Sequence, residues 1–271
     1  MQPTHGASKI HLPGVRHLVA VASGKGGVGK STVAANLALA LKAQGYQVGL
    51  MDADIYGPSI PIMMGIGEVD PQSTQFPLER YGIKLMSMGF LIKGTQAVIW
   101  RGPMVHRAVQ QFLTDIPWGE LDYLIVDMPP GTGDAQLTLT QSAPLSGAII
   151  VTTPQEVSLV DARKGLEMFR QVRVPVLGIV ENMSYFIGED GKRYDIFRHG
   201  GGSKLAHDAG VPCLGEIPID PRVAECGDTG EPIVHKYPDS PVSETYMQLA
   251  KTVVDQLTKA GKQPELPTLK L

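Results

Sequence analysis

A glycine-rich stretch near the N-terminus constrains the fold more than any other feature of the chain. Residues 24–31 read GKGGVGKS and fit the pattern G-x-x-x-x-G-K-[ST]. The β-branched run HLVAVAS precedes this stretch, and the helical pattern STVAANLALALKAQG follows it. A strand, a glycine loop and a helix in this order point backbone N–H groups and the helix dipole at phosphate oxygens. The stretch therefore predicts a phosphate-binding loop.

The loop predicts ATP and Mg²⁺ as ligands. Lys30 supplies a positive charge to the β- and γ-phosphates, so we expect it to be catalytic. The Ser31 hydroxyl is placed to ligate Mg²⁺, and Thr32 to reach the α-phosphate. The predicted nucleotide contacts in the loop are Gly24, Lys25, Gly26, Gly27, Val28, Gly29, Lys30, Ser31 and Thr32.

The rest of the chain alternates between apolar runs and helical patterns. The apolar runs that predict buried parallel strands are YQVGLMD, IKLMSMG, YLIVDMP, GAIIVTT, VPVLGIVEN and CLGEIPID. Helical stretches between several of them, such as SLVDARKGLEMFRQV, supply the crossovers that parallel neighbours require. We therefore predict an α/β P-loop NTPase, a doubly wound, mostly parallel sheet with helices on both faces.

A length of 271 residues fits one large α/β domain. Residues 1–16 are mixed and polar, and we expect a flexible N-terminal arm there. Residues 17–260 are predicted to form a single ATPase domain that ends in an amphipathic helix packed on the core. Residues 261–271, with two prolines, are predicted to be a C-terminal tail.

Three carboxylates follow predicted strands, at the edge where α/β sheets place their ligands. Asp52 and Asp54 follow the second strand, in MDADIYGPS. Asp127 ends the strand in YLIVDMPPGTGD and is typical of a Walker B aspartate beside Mg²⁺. Residues 131–134 then form a glycine-rich segment able to respond to the γ-phosphate. For Asp52 an alternative stays open, in which the carboxylate caps the strand end by accepting hydrogen bonds from loop amides.

Lys25 adds a second lysine to the phosphate loop. The motif GKGGVGKST resembles the deviant Walker A motif of the superfamily of MinD, ParA, ArsA and the nitrogenase iron protein. This resemblance implies that Lys25 reaches the nucleotide of a partner subunit, as an arginine finger does, in a homodimer with ATP across its interface. It also implies that Asp54 orients the attacking water and that Asp52 supports the magnesium shell.

Two later segments predict contacts to the base. Asn182 closes the strand VPVLGIVEN, and its amide can both donate and accept hydrogen bonds to adenine. Pro218 and Asp220, in EIPIDP, resemble the second base-flanking loop of the superfamily. The alternative for these residues is an ordinary loop.

Four further segments narrow the resemblance: DADIYGPSIP, WRGPM, DMPPGTGDAQLTL and ENMSYF followed by DIFRHGGG. Together they resemble the Mrp-type ATPases, a family of iron-sulfur cluster carriers and assembly factors, from about residue 17 to about residue 241. The resemblance implies an ATPase in iron-sulfur cluster assembly or transfer, with apo-proteins or assembly factors as partners. The alternative is a nucleotide-switched interaction or positioning ATPase that carries no cluster.

One departure from the Mrp pattern concerns the cluster. Many Mrp-type carriers have a C-x-x-C between SYF and DIF, and two such pairs at a dimer interface hold a four-iron cluster. The matching stretch of this chain is Gly188-Glu189-Asp190-Gly191. Because iron-sulfur clusters are normally anchored by cysteine thiolates, the implied cluster lacks its usual ligands here.

The remaining candidate ligands for a cluster are few. Cys213, in the apolar run VPCLGEIP, is expected to be buried. Cys226, in AECGDTG, is expected near the surface, where it could be a lone ligand in a dimer. His199 and His207 are conceivable helpers, although single histidines are usually solvated or hydrogen-bonded. The oxygen ligands of Glu189 and Asp190 suit harder cations better.

The composition limits the cellular compartments and the partners that the chain can be expected to have. Two cysteines suit a reducing compartment, and no apolar run approaches the roughly 18 residues of a membrane span. A net charge of -3 gives no overall attraction to nucleic acid or anionic lipid. We therefore expect a cytoplasmic protein with no nucleic acid and no membrane as partners.

Overall fold

A computed structural model describes residues 12–55, 57–72, 74, 76–91 and 102–261. Most of the predicted N-terminal arm lies outside the described residues. So do the first two residues of WRGPM and the predicted C-terminal tail after Gly261.

The described residues form an eight-stranded sheet and a separate two-stranded hairpin. The strands of the sheet are β1 (Val15–Ser23), β2 (Val48–Asp52), β3 (Leu78–Arg80), β4 (Ile83–Ser87), β5 (Leu121–Asp127), β6 (Gly147–Thr152), β7 (Val176–Glu181) and β10 (Cys213–Glu216). Their order is β10-β7-β6-β1-β5-β2-β4-β3, and every neighbouring pair is parallel except β3 with β4. The hairpin consists of β8 (Phe186–Ile187) and β9 (Arg193–Tyr194).

Helices cover both faces of the sheet. They are α1 (Lys30–Ala43), α2 (Ile60–Met63), α3 (Gly102–Thr114), α4 (Asp134–Ser142), α5 (Glu156–Gln171), α6 (Gly201–Ala209), α7 (Pro221–Thr229), α8 (Ile233–Lys236) and α9 (Pro241–Ala260). One core packs under α1, α2 and α7–α9, and the other packs under α3–α6. The predicted doubly wound sheet with helices on both faces is confirmed. No helix within the described ranges is long and apolar enough to cross a lipid bilayer.

The continuous apolar run of β1 follows from this layering. Val19 and Val21 face the core under α1, whereas Leu18, Ala20 and Ala22 face the core under α5. Because successive side chains of a strand point to opposite faces, a strand between two cores must be apolar at every position. This is why β1 lacks the alternation of a half-exposed strand.

The N-terminal boundary of the predicted domain needs correction. Strand β1 begins at Val15, two residues before the predicted boundary, and Val15 pairs with Leu121 of β5. The Leu121 amide also donates to the Gly14 carbonyl, at 2.7 Å. The charged Arg16 interrupts the apolar pattern, so the sequence did not reveal this part of the strand. The strand accommodates Arg16 because its side chain pairs with Asp122 at the end of the sheet.

The order of the strands brings the predicted carboxylates together. β5 lies between β1 and β2, and Asp52 is the register partner of Asp127. The glycine loop leaves the carboxyl end of β1 at the same edge. The phosphate loop and both strand-end aspartates therefore share one edge of the sheet.

Candidate functional site: the phosphate loop and its carboxylates

The loop between β1 and α1 is shaped by glycine. Gly29 precedes α1 in a left-handed conformation, with φ of 81°. A side chain at Gly29 would overlap the amide of Asn182, which donates to the Val28 carbonyl at 2.9 Å. Asn182 therefore packs directly against the loop, although the two lie more than 150 residues apart in sequence.

Lys30 lies at the centre of the site. Its ammonium is 2.6 Å from Asp127 Oδ1, 3.8 Å from Asp54 Oδ2 and 3.2 Å from Ser31 Oγ. Its side chain is only 6% exposed. Three other residues predicted to act on phosphate and metal, Ser31, Asp54 and Asp127, are thus brought together around the buried charge of Lys30.

Asp127 offers an oxygen atom for a cation. Its carboxylate is fully buried, and its Oδ2 has no hydrogen-bond partner among the described residues. Burial raises the pKa of Asp127, while the Lys30 ammonium opposes this shift. A carboxylate oxygen and the nearby Ser31 hydroxyl are the hard ligands that Mg²⁺ prefers. The residues present fit the predicted magnesium site.

Asp52 holds the segment that carries Asp54. It accepts hydrogen bonds from the Asp54 amide at 3.0 Å, the Ile60 amide at 3.3 Å and the Ser87 hydroxyl at 2.9 Å. Burial and the neighbouring Asp127 carboxylate raise the pKa of Asp52 to about 8. These contacts favour the capping alternative for Asp52, and its role in the magnesium shell stays a prediction.

Ser87 is a site residue that the sequence reasoning missed. It ends β4 and is the register partner of Asp52, so its hydroxyl reaches the Asp52 carboxylate. The signal in the sequence is a lone hydroxyl at the end of the apolar strand IKLMS. Recognising it would have required the knowledge that β2 and β4 are neighbours.

The predicted base contacts line one cavity beside the loop. A cavity of about 450 Å³ opens next to Gly29 and Thr32, and Asn182, Pro218 and Asp220 lie in its wall. Asp220 also caps α7, since its carboxylate accepts from the Arg222 amide at 2.9 Å. The Arg222 guanidinium holds the pKa of Asp220 below its usual value. The residues predicted to flank the base therefore surround a space that continues from the phosphate loop.

Lys25 does not belong to the group of polar side chains around Lys30. Among the described residues its ammonium has no hydrogen-bond or ion-pair partner. It lines a shallow depression with Glu156, Val157 and Ile196. Val157 and Ile196 are 67% and 55% exposed, and the two aliphatic side chains share this one depression. We call Lys25, Val157 and Ile196 the Lys25 face. It combines an unpaired charge with exposed apolar surface.

The stretch in place of the C-x-x-C forms the turn of the β8–β9 hairpin. Asp190 accepts from the Lys192 amide at 3.0 Å and from the Tyr194 hydroxyl at 2.9 Å. These hydrogen bonds lower the pKa of Asp190. The turn thus uses its carboxylate to close the hairpin, and it has no sulfur ligand to offer.

The expectation for Cys226 was wrong, whereas Cys213 packs against the core but is only partly buried. Cys226 is 1% exposed and packs in the core on α7, where burial raises the pKa of its thiol. Cys213 is half-buried, because it begins the edge strand β10, and its sulfur accepts a hydrogen bond from Ser203 at 3.4 Å. The polar residues of AECGDTG indicate a surface position, but they lie on a helix, α7, whose inner side carries Cys226.

A second polar cluster lies near the hairpin. Glu181, His199 and Glu216 place ligand atoms within 4.8 Å of one another. However, the Arg193 guanidinium contacts both His199 and Glu216. Glu181 accepts from the Ser184 hydroxyl at 2.6 Å and from the Gly202 amide at the start of α6. An arginine, a serine hydroxyl and one backbone amide thus satisfy this cluster. His207 is exposed and lies 3.6 Å from Asp208.

The parallel sheet, the glycine loop and the buried Lys30–Asp127 pair define a P-loop NTPase of the deviant Walker A class. The family model described as ParA, NUBPL iron-transfer P-loop NTPase, matches residues 14–254. The chain belongs to this family, which confirms the resemblance drawn from its motifs.

Relatives and solved structures agree with this assignment. The iron-sulfur cluster carrier protein of Aquifex aeolicus is 52% identical over 258 residues, which cover 93% of this chain and 70% of that protein. The iron-sulfur cluster transfer protein NUBPL of Mus musculus is 50% identical over 252 residues, 91% of this chain and 79% of that protein. A nucleotide-binding protein of Archaeoglobus fulgidus, solved with ADP, is 41% identical with a TM-score of 0.73, covering 86% of this chain and 92% of that one.

The cell division ATPase MinD of Pyrococcus furiosus is more distant. It is 21% identical with a TM-score of 0.69, covering 89% of this chain and 99% of that one. At this identity the likeness concerns the fold alone.

Proposed function

We propose that this chain is a homodimeric ATPase that hydrolyses ATP to ADP and phosphate in the presence of Mg²⁺, and that this cycle serves iron-sulfur cluster assembly or transfer. The observation that carries the proposal is the position of the Lys30 ammonium, between Asp127 and Asp54 at the start of α1. A buried positive charge at the start of a helix is suited to a triphosphate. The A. fulgidus relative, solved with ADP, supports the nucleotide.

Each residue has a distinct task in the proposed hydrolysis. Lys30 and the loop amides stabilise the negative charge that develops on the γ-phosphate. Ser31 and Asp127 would hold Mg²⁺, which supplies further positive charge to the phosphate oxygens when bound. Asp54 is only 7% exposed, and its Oδ1 accepts from the Gly57 amide at 3.2 Å, so its carboxylate is fixed to orient a water molecule.

The Lys25 face supports the dimer. An ammonium group without a partner beside exposed aliphatic side chains is suited to burial against a second subunit. In that arrangement Lys25 adds positive charge to the nucleotide of the other subunit.

A trapped dimer tests this proposal. Asp54→Asn should bind ATP without turning it over, and light scattering after size-exclusion chromatography should then give the mass of a dimer. The double variant Asp54→Asn, Lys25→Ala should elute as a monomer with ATP. A protein with Mg²⁺-dependent turnover that remains a monomer under all of these conditions would contradict the dimeric mechanism.

The iron-sulfur role is proposed through a partner. The names of the relatives concern iron-sulfur cluster carriage and transfer, which supports the pathway. Yet this chain has only two cysteines, and one of them is enclosed in the core. These residues do not fit a cluster site of the usual kind. We therefore place the cluster ligands on an apo-protein or assembly factor, and the ATP-driven step on this chain.

Anaerobic reconstitution with iron and sulfide tests the placement of the ligands. We expect no stoichiometric cluster on the purified chain, by metal analysis and absorption. A cluster that forms on the wild type but not on Cys213→Ser would instead make this chain a carrier.

The second candidate function, a nucleotide-switched interaction ATPase that carries no cluster, is favoured by the thiol-free turn at Gly188–Gly191. It would be supported if no iron-sulfur apo-protein altered ATP turnover. A cytoplasmic location remains a prediction.

A further inference from the structure

A tyrosine without a hydrogen-bond partner lies at the cavity beside the phosphate loop. Tyr246, on α9, lines this cavity together with Gly29 and Thr32. Its side chain is fully buried, and its hydroxyl has no partner among the described residues. Because native proteins pair nearly all of their buried polar groups, this hydroxyl requires an explanation.

The walls of the cavity indicate what enters it. Aliphatic side chains from α2, from α7 and from the loop after β10 line it, among them Ile62, Val223 and Ile217, so most of its surface suits a flat apolar ring. Polar groups are few, which is typical of a small-molecule site of about this volume. At one end lies Thr32, which is placed near the α-phosphate of a nucleotide in the loop. A nucleotide held there would direct its base into the cavity.

We propose that Tyr246 is a specificity-determining residue, whose hydroxyl forms a hydrogen bond to the adenine base of the bound nucleotide. This inference rests on the proposed function, because it requires ATP or ADP in the loop. A phenol can both donate and accept, and the edge of adenine offers both kinds of partner. Asn182 reads the base from the side of the loop, whereas Tyr246 reads it from the side of α9.

The inference also makes a prediction about stability. Without nucleotide, the unpaired hydroxyl destabilises the fold, because it has lost its hydrogen bonds to water. With the base in place, the same hydroxyl stabilises the complex. Removing the oxygen atom should therefore stabilise the nucleotide-free protein and destabilise its complex with the nucleotide.

Tyr246→Phe tests both effects. Without nucleotide, we expect its melting temperature to rise by about 2–4 °C, the effect of removing one unpaired buried group from a chain of this size. By titration calorimetry, its affinity for ADP should fall roughly five- to tenfold, as expected for the loss of one neutral hydrogen bond. Its affinity for GDP should change less, so the ratio of its affinities for ADP and GDP should become smaller. Tyr123→Phe is the matched control, because Tyr123 is buried on β5 and does not line the cavity.

Several outcomes would overturn the inference. Unchanged affinity of Tyr246→Phe for ADP would do so, as would an equal loss for ADP and GDP. A loss that disappears with 2′-deoxy-ADP would assign the contact to the ribose. A lower melting temperature without nucleotide would mean that the hydroxyl is paired within the fold. Failure of the wild-type protein to bind ADP would instead contradict the proposed function, so the two failures are distinguishable.

Discussion

The Lys30 ammonium lies 2.6 Å from Asp127 Oδ1, which joins the start of α1 to the end of β5. Both side chains are buried, with exposures of 6% and 0%. The charge that the proposed mechanism directs at phosphate is therefore also the charge that neutralises the Asp127 carboxylate. The proposed function and the stability of the fold depend on the same ammonium group.

Lys30→Ala should impair both properties. We expect ATP turnover to be abolished, because the charge on the β- and γ-phosphates is lost. The free energy of unfolding should fall by about 3 kcal/mol, since Asp127 remains buried without its counter-charge. Phosphate release and urea denaturation measure the two effects.

Lys164→Ala is the control for Lys30→Ala. Lys164 is exposed and pairs with Asp161 on the surface of α5, so its loss should change stability by less than about 1 kcal/mol and leave turnover intact. Normal turnover in Lys30→Ala would reject the assignment of the phosphate loop.

The sequence was sufficient where the signal is local. The phosphate loop lies between an adjacent strand and helix, and the apolar runs of β1, β2, β5 and β6 identify buried strands because each lies between two cores. Asp127 could be predicted because a carboxylate ends one of these runs.

Contacts between distant parts of the chain could not be predicted. Ser87 acts on Asp52 only because β4 pairs with β2, and Tyr246 reaches the cavity because α9 packs against α1. Cys226 is buried because α7 packs its inner side against the core, although the neighbouring residues in sequence are polar. Each of these depends on which elements are neighbours, and a single sequence does not specify that.

Lys25→Ala should separate nucleotide binding from turnover. Because Lys25 has no partner among the described residues, its removal should leave the affinity for ADP within about twofold and the melting temperature unchanged. Turnover should fall by roughly 10³-fold or more, the scale of the loss of an arginine finger. Calorimetry and phosphate release provide the two readouts. If Lys25→Ala retains both binding and turnover, the role of Lys25 across the interface is wrong.

Ser87→Ala tests whether Asp52 fixes the segment that carries Asp54. The change removes one of three donors to a buried carboxylate, so the free energy of unfolding should fall by about 1–3 kcal/mol. Turnover should fall as well, because the Asp54 amide is held by the same carboxylate. Thr252→Ala, an exposed hydroxyl on α9, should change neither quantity. Loss of stability with full turnover would restrict Ser87 to a structural role.

Thiol labelling tests the positions of the two cysteines. With an aromatic disulfide reagent, the native chain should expose one reactive thiol, that of Cys213, and denaturation should reveal the second. Cys226 is expected to resist, because burial both excludes the reagent and raises the pKa of the thiol, which lowers the fraction of reactive thiolate. Cys213→Ser should abolish native labelling, and Cys226→Ser should leave it intact. Rapid native labelling of Cys226 would mean that α7 does not enclose it, and would restore Cys226 as a ligand for a cluster.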